Sequence, residues 1–293
     1  MIETANSAMM SAVIERVFPL IEADVTPVVA ELVHGAIVRS ELVHGGLTNT
    51  LRRVELADGR VLGVKHYVRG RSYATEGAAL RELTGVVPVP VILCTLDRVI
   101  AYRWIDGPTL EDCRRREPSV LLALAAPLGQ LLGALARHPH AARPLDLAPA
   151  LARLERGPAR AWLGGALADA LGRMLEAQRF DDATGFAHGD FNARNVIVAP
   201  TRDRIAGVID WEAATAGSAL LDVGRLFRRA HRYGAEFRTA FARAHGGLAG
   251  DWLRRAQLLD AARLVMTLAD DPALPTGHRE LREVVARFAA AEA

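Results

Sequence analysis

The eleven residues from His188 to Val198 read His-Gly-Asp-Phe-Asn-Ala-Arg-Asn-Val-Ile-Val, and Ile209-Asp210-Trp211-Glu212 follow a short distance later. Asp190 can take a proton from an incoming hydroxyl. The side-chain oxygens of Asn195 and Asp210 are hard ligands of the kind Mg²⁺ accepts beside a nucleotide's phosphates. In-line phosphoryl transfer needs little beyond positioning, charge neutralisation and a carboxylate that orients the attacking hydroxyl. His-Gly-Asp alone would be an ordinary turn aspartate. With Asn195 and Ile209-Asp210 at fixed distance, the set becomes a candidate for that chemistry. Asp210 has a competing reading as the N-cap of a helix, but Val208 and Ile209 before it read as a buried strand. His188 is expected to brace the loop through hydrogen bonds.

A second feature is compositional. Among the 36 Lys+Arg residues, Lys65 is the sole lysine, so a chain that otherwise uses arginine kept one compact ammonium. A planar guanidinium cannot replace an ammonium that must fit between phosphates and a carboxylate. Lys65 falls on the third of three β-prone runs and Glu76 on the helix that follows, an arrangement in which an ion pair would hold the ammonium against the α- and β-phosphates. Glu82, at the far end of that helix, is the rival partner. Gly45-Gly46-Leu47-Thr48-Asn49 could fold over the phosphates, with Gly46, Thr48 and Asn49 supplying donors; a plain β-turn is the alternative. Tyr102 to Ile105, including Trp104, are expected to contact a nucleobase through backbone groups, or else to form a core strand.

The elements that must position these residues follow from periodicity. Residues 8–22 carry helical spacing of Met9, Val13, Ile14, Val17, Phe18 and Ile21. From Ala36 to Tyr67 the pattern becomes an antiparallel meander with Asp58-Gly59 as a hairpin turn. Residues 72–84 read as a helix stopped by Gly85, and Val86-Val87-Pro88-Val89-Pro90 forces extended chain before two further strands. After Asp106-Gly107-Pro108 the chain turns to helices at about 109–116, 119–138, 146–155 and 158–179. They are interrupted only by a hairpin of Val196–Val198 and Ile205–Ile209, and helices resume near Ser218. Strands first and helices after, with one catalytic hairpin among the helices, give an α+β chain of two lobes. Residues 1–104 form a small antiparallel-sheet lobe for the nucleotide. Residues 105–293 form a mainly helical lobe for the catalytic loop and acceptor.

The 293 residues, 51% hydrophobic with a formal charge of +2, suit a packed globular protein. The run Arg114-Arg115-Arg116 is too short to make a nucleic-acid surface. Cys94 and Cys113 form no metal or redox motif, and Glu3 precedes any basic residue, so a cytoplasmic protein without an export signal is expected. The apolar run Ser119–Ala136 approaches the length of a membrane span, but Pro127, Gly129 and Gln130 within it favour a buried helix.

These residues resemble the aminoglycoside phosphotransferase family, which shares its protein-kinase-like two-lobed fold with choline kinases. The resemblance runs from about Leu42 to Phe227 and includes Gly217-Ser218-Ala219-Leu220-Leu221-Asp222. It implies transfer of the γ-phosphoryl group of ATP, with Mg²⁺, to a hydroxyl of a small molecule: an antibiotic such as an aminoglycoside or macrolide, or a sugar or amino-alcohol metabolite. Asp190 becomes the base, Asn195 and Asp210 the metal ligands, and Lys65 with Glu76 the phosphate clamp. Asp222 would brace the catalytic loop, with a first-turn helix acid as its alternative. Unlike protein kinases, the chain has Asn192 two residues after the base and Trp211-Glu212 after the second aspartate. Arginines outnumber acids after Glu212, against a polycationic acceptor. A nucleotide-binding pseudokinase serving as a scaffold is the competing reading; its mark, a missing metal ligand or clamp lysine, is absent.

Overall fold

The computed structural model describes residues 25–43, 49–140, 146–178, 180, 184–218, 220–270 and 275–292. The expected helix at 8–22 and the turn containing Gly46 and Thr48 lie outside them. The chain divides into two compact units: residues up to Glu82 with Pro90–Ile105, and Leu83–Val89 with the chain from Asp106 onward.

The first unit is a five-stranded antiparallel sheet in the order β1-β2-β3-β5-β4, with β1 Ile37–Leu42, β2 Thr50–Leu56, β3 Val61–His66, β4 Ile92–Leu96 and β5 Val99–Arg103. Asp58-Gly59 makes the β2–β3 turn, where Gly59 has φ of 86° and Asp58 Oδ1 accepts the Arg60 N–H at 3.0 Å. An unforeseen helix, α1 (Val25–Leu32), seats Val29 and Ala30 on a sheet face built from Val54, Leu62, Val64, Val99 and Ala101. Pro27 stands in its first turn, where a missing N–H costs nothing. Helix α2 (Gly70–Leu83) follows β3.

In the second unit α3 (Leu110–Arg116) opens with a capping box in which Thr109 and Asp112 satisfy each other's backbone N–H. Next come α4 (Leu121–Arg137), α5 (Ala148–Arg156), α6 (Pro158–Leu163) and α7 (Gly165–Ala177). The single helix expected at 158–179 is broken because Gly164 adopts φ of 83°, outside the helical region. Then follow β6 (Thr184–Ala187), β7 (Val196–Val198), β8 (Ile205–Val208), β9 (Thr215–Ser218) and the helices α8 (Leu220–Leu226), α9 (Ala235–His245), α10 (Trp252–Asp270) and α11 (Pro275–Glu292). The β7–β8 hairpin is the expected one; the β6–β9 pair was not foreseen. Segment Leu83–Val89 joins this unit through the Val208 N–H, donated to the Pro88 carbonyl at 2.8 Å. The α+β plan of an antiparallel sheet followed by helices is the one the chain adopts.

One core of this unit combines Leu154, Leu163, Leu171, Leu175, Leu258, Val265, Leu281 and Val285 from α5, α6, α7, α10 and α11. The other main contact sets α4 on α9. Residues Pro118–Arg137 are long and apolar enough to cross a membrane, yet half of that window is buried within the protein. Gly129 and Gly133 explain the packing: a Cβ on either would collide with the carbonyl oxygen of Phe241 or of His245. Two helices approach this closely only where the side chain is a hydrogen.

His245 ends α9 with both ring nitrogens buried and without hydrogen-bond partners among the described residues. Burial, aided by the nearby Arg137, lowers its pKa to about 4. Two outcomes follow from this interface. Gly129→Ala should lose about 1–3 kcal/mol in urea unfolding through overpacking against the α9 backbone. The folded-state pKa of His245 lies below its unfolded value, so its contribution is complete above the unfolded pKa and fades as pH falls toward the folded one. From pH 7 to pH 5 the protein should lose about 2 kcal/mol on this account, and His245→Leu should flatten that acid dependence in paired urea titrations.

Candidate active site

Strands β6 and β9 clamp the base of the loop that carries Asp190. Ala187 pairs with Thr215, so the chain leaving β6 and the chain entering β9 start from one place. Asp222, fully enclosed on α8, receives the N–H of His188 at 2.7 Å on one carboxylate oxygen and that of Gly189 at 2.9 Å on the other. Burial pushes the Asp222 carboxyl up, while His188 and the two N–H donors pull against it. Gly189 has φ of 83°, and a Cβ there would collide with the Ala213 carbonyl, so only glycine serves.

His188 accepts the Asp190 N–H on Nδ1 at 3.1 Å. Its Nε2 therefore carries the proton and donates to the Ile209 carbonyl at 3.0 Å. The ring lies 4.4 Å from that of fully buried Trp211, whose Nε1 donates to the Val208 carbonyl. The bracing role expected of His188 is what these bonds perform.

Asp190 is half-buried. Its Oδ1 takes a hydrogen bond from Arg225 Nε at 2.6 Å, and its Oδ2 one from Asn192 Nδ2 at 3.2 Å. Asn195 Nδ2 donates to the Asp190 carbonyl at 3.0 Å, which fixes the amide's orientation and turns its oxygen away from that bond. Val196 pairs with Val208 and the Ile209 N–H reaches the Asn195 carbonyl at 2.9 Å. The hairpin register thus brings Asn195 and Asp210 to the same end. Asp210 has φ of 70° and ψ of 56° and makes no capping hydrogen bond to the 3₁₀ turn Trp211–Ala213. The left-handed conformation costs a non-glycine residue about 1–3 kcal/mol, and a helix cap does not explain it. Two hard oxygen donors at one hairpin end suit Mg²⁺.

In the first unit, Lys65 Nζ binds Glu76 Oε2 at 2.7 Å, with both side chains buried. Glu82 is exposed, so the geometry selects Glu76. The ammonium also lies 5.0 Å from the Tyr67 ring centroid. Asn49 Oδ1 accepts the Val68 N–H at 3.2 Å. Tyr102 is buried in β5 opposite Gly63, where any Cβ would strike its ring, and the Trp104 N–H goes to the Val61 carbonyl at 2.9 Å.

Arg225 was not among the expected residues. It stands one helical turn after Asp222, a spacing that places both on one face of α8, and that spacing was the available signal.

The model of the family described as "Phosphotransferase enzyme family" matches residues 40–258. Among solved structures, a macrolide 2'-phosphotransferase from Brachybacterium faecium has a TM-score of 0.65 at 16% identity, covering 88% of this chain and 96% of that one. A thermostable mutant of an aminoglycoside phosphotransferase, solved with ADP and hygromycin B, has a TM-score of 0.64 at 17% identity, covering 90% and 98%. An Arabidopsis thaliana protein described as a probable acyl-CoA dehydrogenase is 41% identical over 58 residues, which is 20% of this chain and 7% of that protein. The match therefore spans only a small part of that curated relative.

The two carboxylate contacts on the loop should differ sharply in weight. Asp222→Asn turns an amide N–H₂ toward a backbone N–H and should cost about 1–3 kcal/mol. Arg225→Met removes a partly exposed pair and should change stability by less than about 1 kcal/mol. Urea midpoints of the two variants, measured side by side, check this order.

Proposed function

We propose an ATP- and Mg²⁺-dependent kinase activity on a small-molecule hydroxyl for this chain, which belongs to the phosphotransferase enzyme family. The observation that carries the reading is the loop from His188 to Asn195, held from behind by Asp222 while the Asp190 carboxylate stays half-exposed at its surface. Asp190 would accept the hydroxyl proton as the acceptor oxygen attacks the γ-phosphorus. Arg225 would keep that carboxylate oriented. Asn195 and Asp210 would hold Mg²⁺, which when bound neutralises phosphate charge. Lys65, fixed by Glu76, would meet the α- and β-phosphates. Gly46, Thr48 and Asn49 would supply donors, and the Tyr102–Trp104 segment would receive the base. In this reading the first unit serves the nucleotide and the second the acceptor. The two free cysteines, Cys94 and Cys113, suit a reducing cytoplasm.

ATP as the donor accords with the ADP bound in the related aminoglycoside enzyme. The acceptor stays at the level of a hydroxyl compound, antibiotic or metabolite. The test is transfer of labelled γ-phosphate from ATP to a panel of such compounds with and without Mg²⁺. Asp190→Asn should retain ATP binding and lower transfer by about 10²- to 10⁴-fold, and Lys65→Met should weaken ATP binding itself. Binding of ATP without Mg²⁺ and without transfer to any acceptor would instead favour a scaffold role.

A further inference from the structure

The arginines of the second unit are unevenly neutralised. Arg114 has Glu111 at 2.6 Å, Arg229 has Glu280 at 2.5 Å, and Arg228 forms a two-bonded pair with buried Asp260. Arg232, half-buried, makes no side-chain hydrogen bond or ion pair among the described residues. Among the described residues Arg287 is bonded only to neutral groups: the Glu283 and Arg228 carbonyls and Nδ1 of His231. Arg238, among the described residues, reaches only the Ala230 carbonyl, at 3.4 Å. Burial together with Arg114 and Arg229 lowers the Arg232 guanidinium, outweighing the opposing pull of Glu111. Burial together with Arg287, Arg232 and Arg229 lowers His231, with Glu283 opposing. The cations outweigh Glu111 and Glu283, the carboxylates that act on them, and such an excess is relieved by added negative charge.

These arginines lead from the Asp190 loop to a cavity. The Glu111 N–H donates to the Ala193 carbonyl within the loop, and the Glu111 carboxylate lies in the field of Arg114, Arg232 and Arg194. Arg287, bonded to His231 beside Arg232, lines an open cavity of about 750 Å³ together with Arg238 and Arg254. Asp251 is the one carboxylate of that lining, and Trp252 and Phe288 supply apolar wall. The volume suits a small molecule, and Arg238 and Arg287, which make no ion pair among the described residues, favour negative charge there.

We infer that the acceptor is an anion: an alcohol carrying a carboxylate or phosphate on an apolar body, its acidic group received by Arg232 and Arg287. The inference rests on the kinase reading above and sharpens it, because a polycationic acceptor would be repelled by the same charges.

The test compares mandelate with phenylethanediol and glycerol phosphate with glycerol, using hygromycin B as the polycation. Each is assayed for phosphoryl transfer from ATP with Mg²⁺ and titrated calorimetrically without nucleotide. At least one anion should exceed its neutral counterpart by about tenfold or more in kcat/KM, and which arm responds tells carboxylate from phosphate. Arg232→Gln and Arg287→Gln should raise KM for that anion about tenfold while kcat holds, Arg287→Lys should recover part of the loss, and added salt should weaken binding. Unchanged thermal unfolding of the variants separates this from misfolding. Equal or better use of the neutral alcohols or hygromycin B would overturn the inference, as would failure of both anions to bind or indifference of KM to both variants. Anion binding that the variants abolish, with no transfer from ATP to any compound, would keep the anion groove and sink the kinase reading.

Discussion

Asp222 supports the second unit's site from within. A carboxylate buried without partners would be costly, and here each oxygen receives a backbone N–H from consecutive residues, His188 and Gly189. Those bonds dictate where the next residue, Asp190, emerges. Gly189 must be glycine because the turn they impose is left-handed and pressed against the Ala213 carbonyl. His188 then ties the loop to Ile209 on the neighbouring hairpin, so the placement of Asp190 and the end of the strand before Asp210 are mechanically one. Trp211, closed beneath His188, fills the space that would otherwise let this arrangement relax.

Much of this was legible in the letters, because the informative signals are local. Asp190 and Asn195 share one short loop, and Asp210 follows a compact apolar hairpin. Lys65 and Glu76 lie on a strand and the helix after it, where periodicity places them. What escaped notice depends on distant contacts. Thr184-Gly185-Phe186-Ala187 and Thr215-Ala216-Gly217-Ser218 have none of the branched apolar runs that mark strands; they pair because the loop between them is anchored. Helix α1 begins Val25-Thr26-Pro27, poor helix formers, and is held by Val29 and Ala30 in the sheet's core. The break at Gly164 is a single backbone choice within a pattern that otherwise continues.

The two units treat charge in opposite ways. In the first, one ammonium is matched to one carboxylate and both are withdrawn from water, a pair whose members cannot be removed singly without stranding a buried ion. In the second, Arg228, Asp260, Glu280 and Arg229 form a satisfied network that ties the turn after α8 to α10 and α11. Beside it stand Arg232, Arg238 and Arg287, which make no ion pair among the described residues. Structural arginines and ligand-seeking ones are thus told apart by their partners, although composition counts them alike.

A chain with one lysine is also a chain with a single side-chain primary amine, and that amine is nearly sequestered, its side chain 9% accessible. Acylating and reductive-alkylating reagents that ordinarily decorate a protein at dozens of places would find only Lys65 and the α-amino group. Isotope carried on a reductive-alkylating reagent, which keeps the positive charge, would give two signals at most, and the one from the nitrogen paired with Glu76 would be set apart by its burial.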